Sequence, residues 1–512
     1  MKRILALALM LVMCLSTLAL VGCDFGGGHE TTTVPPSANT ENETKPEGET
    51  AGNQPGEQPG ETGTDAPSTQ AKPLEYDVIA YDGSEVTITF SHTMNATYQG
   101  VLDQYIAKFN EMYPNIHVEH TQVGGYDEVR DTIKTELTAG NQPNIAYCYP
   151  DHVALYNVAK AVVPLNSFIN STIEITDALG NKTVLGLTAD QVADFVPGFY
   201  AEGAVFDNAG TMYTLPMSKS TEVLYYNKTF FDANGLTDPT TWKEMEALCQ
   251  KILEIDPDCI PLGYDSEANW FITMTEQYGS PYTSTERGNN YLFDHPQNKV
   301  FVKMFRGWYE KGYLTTQELY GGYTSGLFTE LVDKNSYMSI GSTGGSIHQR
   351  PEATDTGYAF EVGIAPIPQI NPENPKAISQ GPSLCIFESD NKQEVIASWL
   401  FVKFLTTNPE FQAAFSMTSG YMPVIQSVDQ VPAYKNFLDN ADGGDHIQAL
   451  AVKVGREMSN AYFVSPAFNG SSVARDKVGV LMQYCFTTQA DDVDAMIDKA
   501  FADAVTECKN AQ

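Results

Sequence analysis

From Val86 onward the chain alternates strand-like and helix-like segments, and that alternation limits what it can fold into. Val86-Thr87-Ile88-Thr89-Phe90 reads as a strand. Leu102, Tyr105, Ile106, Phe109 and Met112 then recur at helical spacing until Pro114 stops the helix. Ile116 to His120 reads as a second strand, and Tyr126 to Ala139 as a helix with Val129, Ile133 and Leu137 on one face. After the Gly140-Asn141-Gln142-Pro143 turn, Asn144 to Tyr149 reads as a third strand. Strands separated by helices imply a parallel sheet covered on both faces. Ligands of such sheets sit beyond the carboxyl ends of the strands, which singles out the loops at His92–Tyr98, Gly124–Tyr126 and Tyr149–His152.

A second α/β unit begins near Leu215. Val223 to Asn227 reads as a strand, followed by a short helix ending near Gly235. Thr241-Trp242-Lys243-Glu244 fits a capping box, opening a helix that runs to about Leu253. Further on come the strand Tyr337–Ile340 with its loop Gly341-Ser342-Thr343-Gly344-Gly345, the strand Ser383–Phe387 and the helix Lys392–Leu405. The stretch from about Tyr76 to Gln512 exceeds what one hydrophobic core supports, so two lobes are expected.

The N-terminus says where the chain works. Lys2 and Arg3 precede an apolar run from Ile4 to Leu20, and Leu20-Val21-Gly22-Cys23 resembles the lipobox of bacterial lipoproteins. That resemblance implies a signal peptide at 1–22, removed just before Cys23, whose thiol takes a diacylglycerol. An uncleaved anchor helix is the alternative, the run being near the lower limit for a span. From Asp24 to Glu75 the chain is acidic and rich in Gly, Pro, Thr and Glu, with almost no large apolar residue, so 23–75 is expected to be the lipidated cysteine and a disordered linker. Its 52 residues from Asp24 to Glu75 reach roughly 40 Å as a flexible coil. The expected location is the outer face of the cytoplasmic membrane, of a Gram-positive type of cell.

With 30 basic against 64 acidic residues the net charge is −34, which argues against nucleic acid and anionic membrane surfaces as partners. Six cysteines follow Cys23 without C-x-x-C spacing and read as buried small hydrophobes; Cys249 and Cys259 are close enough in sequence to pair. His117 and His120 lie three apart on a strand and so face opposite ways, which gives no shared metal. Asp442-Gly443-Gly444-Asp445 lacks the ligand series of a calcium loop. Neither a metal nor a cofactor is expected.

Several segments together resemble family 1 extracellular solute-binding proteins of carbohydrate-type ABC importers. They are Tyr213-Thr214-Leu215-Pro216, Leu224-Tyr225-Tyr226-Asn227-Lys228, Thr241-Trp242-Lys243-Glu244, Gly363-Ile364-Ala365-Pro366-Ile367-Pro368, the helix Gln393–Thr406 and Ser419-Gly420-Tyr421-Met422-Pro423. The resemblance implies a two-lobed α/β fold of the type II periplasmic-binding-protein kind. Each lobe is then a mostly parallel sheet flanked by helices, with the ligand cleft between the lobes. It places lobe 1 at 76–215 plus 346–407 and lobe 2 at 216–345 plus 408–512, with crossings near Leu215, Ser346 and Asn408. It further implies a monomer that binds a carbohydrate, polyol or glycerol phosphate, performs no chemistry on it and serves ABC permease subunits.

Within that family, Phe90-Ser91-His92-Thr93-Met94, Tyr126 and Arg475 look most like the glycerol-3-phosphate-binding branch. Carried over by position, Tyr126, Ser220, Ser342 or Thr343, Gly381, Tyr421 and Arg475 would line the site. Tyr149-Pro150-Asp151 departs from the branch, which has a glutamate just after the tyrosine; Asp151 has a shorter reach, and the ligand's identity stays open. Trp270 reads either as an aromatic face for a sugar or as core, whereas Trp308 and Trp399 read as core. Arg475 reads either as a fork for a phosphate or as a salt-bridge partner. The competing class is an anchored glycoside hydrolase with a carboxylate pair. The sequence carries no G-x-S-x-G, H-E-x-x-H or phosphate-binding glycine loop.

Overall fold

The computed structural model describes residues 72–207, 209–330 and 335–511. The expected signal peptide at 1–22, the expected lipid site Cys23 and nearly all of the expected linker at 23–75 lie outside the described residues. In chain order the sheet strands are β1 (Val86–His92), β2 (Ile116–Gln122), β3 (Ile145–Cys148), β4 (Leu215–Pro216), β5 (Glu222–Asn227), β6 (Leu262–Tyr264), β7 (Leu314–Thr316), β8 (Met338–Ser342), β9 (Val362–Pro366) and β10 (Ser383–Ile386). They form two five-stranded sheets, ordered β2-β1-β3-β10-β4 and β9-β5-β8-β6-β7.

In each sheet one strand is reversed and the other four run the same way. β10 is antiparallel to both β3 and β4, and β5 is antiparallel to both β8 and β9. All four residues of β3 are buried, as befits a strand covered on both faces. The helices that position the cleft are α1 (Ala96–Met112), α2 (Tyr126–Ala139), α3 (Pro150–Tyr156), α4 (Trp242–Ile255), α5 (Glu267–Tyr278), α6 (Lys392–Thr407), α7 (Pro409–Ser419), α8 (Ile447–Glu457) and α9 (Ser471–Thr487). Thr241 and Glu244 form the expected capping box on α4. Each lobe has its own core. The first packs Phe90, Phe109, Trp399 and Phe401, and the second packs Trp242, Tyr264, Trp270, Phe305 and Trp308.

The lobes are joined where chain passes run side by side. Met217–Thr221 leads from β4 into β5, and isolated bridges tie Ser220 to Gln380 and Lys219 to Met422. Here Lys219 is 1% exposed, and its Nζ is ion-paired with Glu202, which also accepts a hydrogen bond from the Ser379 hydroxyl at 2.5 Å. Removing either charge would leave the other buried and uncompensated, and Glu202, bonded to Lys219 of one pass and Ser379 of the other, holds the two passes together.

Two parts of the lobe division differ from the sequence expectation. Val362–Pro366 belongs to the second sheet, not the first, because β5 has a free edge opposite β8 and pairs there with β9, Ile364 against Tyr225. The second crossing therefore falls near 377–383 rather than at Ser346. Likewise α7 packs into the first core: Phe411 is fully buried with its ring 5.2 Å from that of Tyr105 in α1. The last crossing thus lies beyond Asn408.

Candidate functional site

The cleft is built from strand ends and helix starts. β3 ends at Cys148, and Tyr149 caps α3, with Pro150 at its first position presetting the helical turn. That places Tyr149 and Asp151 on the wall of the first lobe. From the second lobe, Gly470 at φ 102 turns the chain into α9 and carries Arg475 to the opposite wall. Between them passes the crossing segment Ser379-Gln380. Tyr149, Asp151, Tyr282, Ser379, Gln380 and Arg475 line one cavity of about 480 Å³ of empty space, open to solvent.

Arg475 is held in place from the hinge. Its Nη2 donates to Asn269 Oδ1. The Asn269 and Gln380 amides exchange two hydrogen bonds, at 2.7 and 2.8 Å, and the Gln380 backbone exchanges two more with Ser220, both 2.8 Å. The guanidinium carbon lies over the Tyr149 ring, 6.0 Å from its centroid. Deeper in the second lobe the buried Glu222 carboxyl accepts the Tyr264 hydroxyl at 2.6 Å. Burial pushes it up to about 7, against the pull of Tyr264, Asn269 and the Arg475 charge.

Tyrosines continue the wall on the first-lobe side. The Tyr126 ring stacks on Tyr149 at 4.3 Å and 22°, and its hydroxyl lies 3.4 Å from that of Tyr421. Tyr421 lies against Gly344, where a Cβ would stand 2.5 Å from its Cζ; the glycine is what admits the ring. Burial pushes the Tyr126, Tyr149 and Tyr421 phenols above their ordinary range, so all three stay neutral.

The residues singled out in the sequence fall into three groups. Tyr149, Asp151 and Arg475 line the cavity, with Tyr126 and Tyr421 joined to them through the ring stack and the hydroxyl contact. Ser220, Gly381 and Thr343 belong to the crossing. Gly381, at φ 92, lets one pass lie on the other, since a Cβ there would stand 2.6 Å from Ser218 O. Thr343 is fully buried and donates its N–H to Thr221 O at 2.9 Å. The Ser342 hydroxyl is half-buried and accepts the Gly344 N–H at 3.1 Å.

Trp270 is core. It has no exposed surface and packs on Tyr264 at 4.5 Å and Phe305 at 4.1 Å. The reason is helix phase. The Ser266 hydroxyl caps α5 by accepting the Asn269 N–H at 3.2 Å, and with Asn269 turned to the hinge, Trp270 points about 100° away into the lobe. Asn269, Gln380 and Tyr282 were not singled out in the sequence. The Ser266-x-x-Asn269 cap was the available signal for the first, and the bond partner of Ser220 for the second could not be read.

The histidines go separate ways. His117 pairs with Glu85 at 3.1 Å, while His120 pairs with Asp103 at 2.9 Å and His92 at 2.9 Å. The six described cysteines are buried free thiols, Cys249 and Cys259 included. Among the described residues no group of acidic, His or Cys side chains has a metal-holding arrangement, and no helix is long and apolar enough to cross a membrane.

Two sheets, each with one reversed strand, joined by side-by-side crossings over a lined cleft, define the class of two-lobed binding proteins. Residues 104–440 match the family described as bacterial extracellular solute-binding protein, and the chain belongs to that family. Among curated relatives, it is 24% identical over 374 residues to the sn-glycerol-3-phosphate-binding periplasmic protein UgpB of Escherichia coli K12, covering 70% of this chain and 79% of that one. Among solved structures, UgpB from Mycobacterium tuberculosis in complex with glycerophosphocholine superposes with TM-score 0.65 at 17% identity, over 83% of this chain and 98% of that one. Maltose-bound MalE3 of T. maritima superposes with TM-score 0.64 at 18% identity, over 83% and 100%.

Proposed function

We propose that this protein captures a neutral carbohydrate or polyol in the cleft and delivers it to the permease of an ABC importer. The observation that carries this reading is that Tyr149 and Asp151 of one lobe and Arg475 of the other line the same cavity. A ligand there touches both lobes at once, so it favours the closed arrangement and shifts the population toward it. The wall supplies what a polyol needs: neutral phenols, amides and ring faces. Buried groups that hydrogen-bond hydroxyls also reject ligands without them, because their own bonds are then unmade. Asp151 lines the same cavity as Arg475, and a carboxylate there disfavours an anionic ligand. A thermal-shift screen across sugars, oligosaccharides and glycerophosphodiesters tests the reading. A ligand at a hundred times its dissociation constant stabilises by about 2.7 kcal/mol. A response to phosphorylated compounds alone would refute it.

Glycerol 3-phosphate is the second reading. The curated relative named above is a glycerol-3-phosphate-binding protein, and Arg475, Tyr149 and the Tyr126–Tyr421 pair stand together at one cleft. A phosphate would engage Arg475 through paired charge-assisted bonds.

Capture without turnover agrees with the match to a family of solute-binding proteins. Release of reducing ends from oligosaccharides by the purified protein would overturn that. The Cys23 lipid and its linker would hold the body near the membrane, and Cys23→Ala should then be shed into the medium or retained unprocessed by its signal. Normal anchoring of that variant would remove the lipid from the account.

A further inference from the structure

Tyr282 lines the cavity that Asp151 and Arg475 share, and it is only 7% exposed. Its ring packs on Phe271 and Phe293, each centroid 6.3 Å away, in the core of the second lobe. With the ring so taken up, the hydroxyl end is what remains to meet the cavity. That hydroxyl is buried and has no hydrogen-bond partner among the described residues. A buried polar group left unpaired is costly, and few are kept without a use. Burial pushes the phenol above its ordinary range, so the O–H keeps its proton.

The chain around Tyr282 is fixed. It follows α5 after Gly279, which turns at φ 61. Asn298, fully buried in the helix Pro296–Glu310, accepts the Ser280 hydroxyl at 2.5 Å and donates to Pro281 O and Phe293 O, both at 2.9 Å. The Tyr282 carbonyl accepts the Leu292 N–H at 3.0 Å. Ser465 lines the same cavity from another piece of chain, and its hydroxyl too is buried without a partner among the described residues. Just before it, Tyr462-Phe463 pairs with Ala377-Ile378, and Phe463 O accepts the Ser379 N–H at 2.9 Å. Two unpaired hydroxyls, one beyond α5 and one beside the crossing, thus belong to one cavity.

We propose that Tyr282 and Ser465 select the ligand by a single hydroxyl group, which their two hydroxyls hold in the cavity beside Arg475. This rests on the carbohydrate reading above. Each protein hydroxyl can donate one bond and accept others, so a sugar O–H placed there both gives and receives. Arg475 gives a hydrogen to Asn269 and has further N–H groups for the same sugar. A ligand lacking the one hydroxyl leaves Tyr282 and Ser465 unpaired, and the neighbouring Ile272 and Val464 offer it no bond in exchange.

The test is calorimetry on the full chain with the wild type, Tyr282→Phe and Ser465→Ala. The probes are gluco-, manno- and xylo-saccharides of one to three units, followed by the complete monodeoxy set of the smallest one that binds. One deoxy analogue should bind the wild type about tenfold or more weaker than its parent. Tyr282→Phe and Ser465→Ala should each weaken the parent by several-fold and no longer tell it from that analogue, while the other analogues keep their ranking. Without ligand both variants should unfold at or above the wild-type temperature, because neither hydroxyl has a protein bond to lose. Either variant binding the parent like the wild type, either one still discriminating against the same analogue in full, or Tyr282→Phe unfolding at a lower temperature would overturn the proposal while leaving sugar binding intact. If the wild type binds no sugar of the panel, the carbohydrate reading itself fails and the proposal falls with it.

Discussion

Arg130 in α2 of the first lobe reaches across the cleft to Asp476 in α9 of the second, with Nη1 and Oδ2 3.5 Å apart. Only 9% of Arg130 is exposed, and Asp127 at 3.0 Å and Asp131 at 2.9 Å hold it on its own helix. Asp476 adjoins Arg475 in the chain, so the contact closes the cleft directly beside the cavity without entering it.

Arg130→Gln should therefore weaken ligand binding while leaving every cavity contact in place. Asp476 is half exposed, which limits the pair to about 1 kcal/mol or less, two- to fivefold in affinity. Added salt should weaken wild-type binding more than that of the variant. Titrations at low and high salt check both; equal affinity and equal salt response would show that the contact plays no part in closure.

Trp270→Ala should cost about 3–5 kcal/mol of stability by opening a cavity between Tyr264 and Phe305. Because Trp270 faces away from the cleft, ligand affinity of the folded fraction should change less than about twofold. Urea unfolding and a binding titration separate the two effects. A large loss of affinity with little loss of stability would return Trp270 to the pocket.

His92 makes stability depend on pH. Burial, then the neighbouring His120, push its imidazole down from 6.5 to about 4. The unfolded chain takes up this proton more readily than the folded one. The stabilising contribution is thus full above about pH 6.5, declines as pH falls through the window and is lost below about 4. The depression is of the order of 3 kcal/mol. His92→Asn, whose side chain can still accept the Met94 N–H now bound to His92 Nδ1 at 3.1 Å, should show a smaller drop in urea midpoint between pH 6.5 and 4. Parallel curves for the two proteins would exclude His92 as the source.

Much of the fold was legible because its elements carry strong periods. The Tyr126–Ala139 helix and the Thr241 capping box stand where the sequence put them, each set by signals within one or two turns. The three-residue strands Leu262–Tyr264 and Leu314–Thr316 gave no alternation to read, since all their residues are buried. Val362–Pro366 falls in the first lobe on the sequence reading but in the second sheet in the structure, because its partner β5 lies more than a hundred residues earlier. The site divides the same way. Tyr149, Asp151 and Arg475 could be named from resemblance, whereas the Asn269–Gln380 amide pair and the Arg130–Asp476 contact exist only once both lobes are folded and brought together.

On the proposed function a neutral carbohydrate binds between the lobes against Arg475. Calorimetry of the wild type and Arg475→Ala, each titrated with the tightest neutral oligosaccharide of the screen and with sn-glycerol 3-phosphate, puts this to the test. The wild type should bind the oligosaccharide one to one and the phosphate weakly or not at all. Arg475→Ala should lose about tenfold or more, the scale of one hydrogen bond from a charged donor. Tight phosphate binding with no heat from any neutral sugar, or oligosaccharide binding indifferent to Arg475, would contradict it.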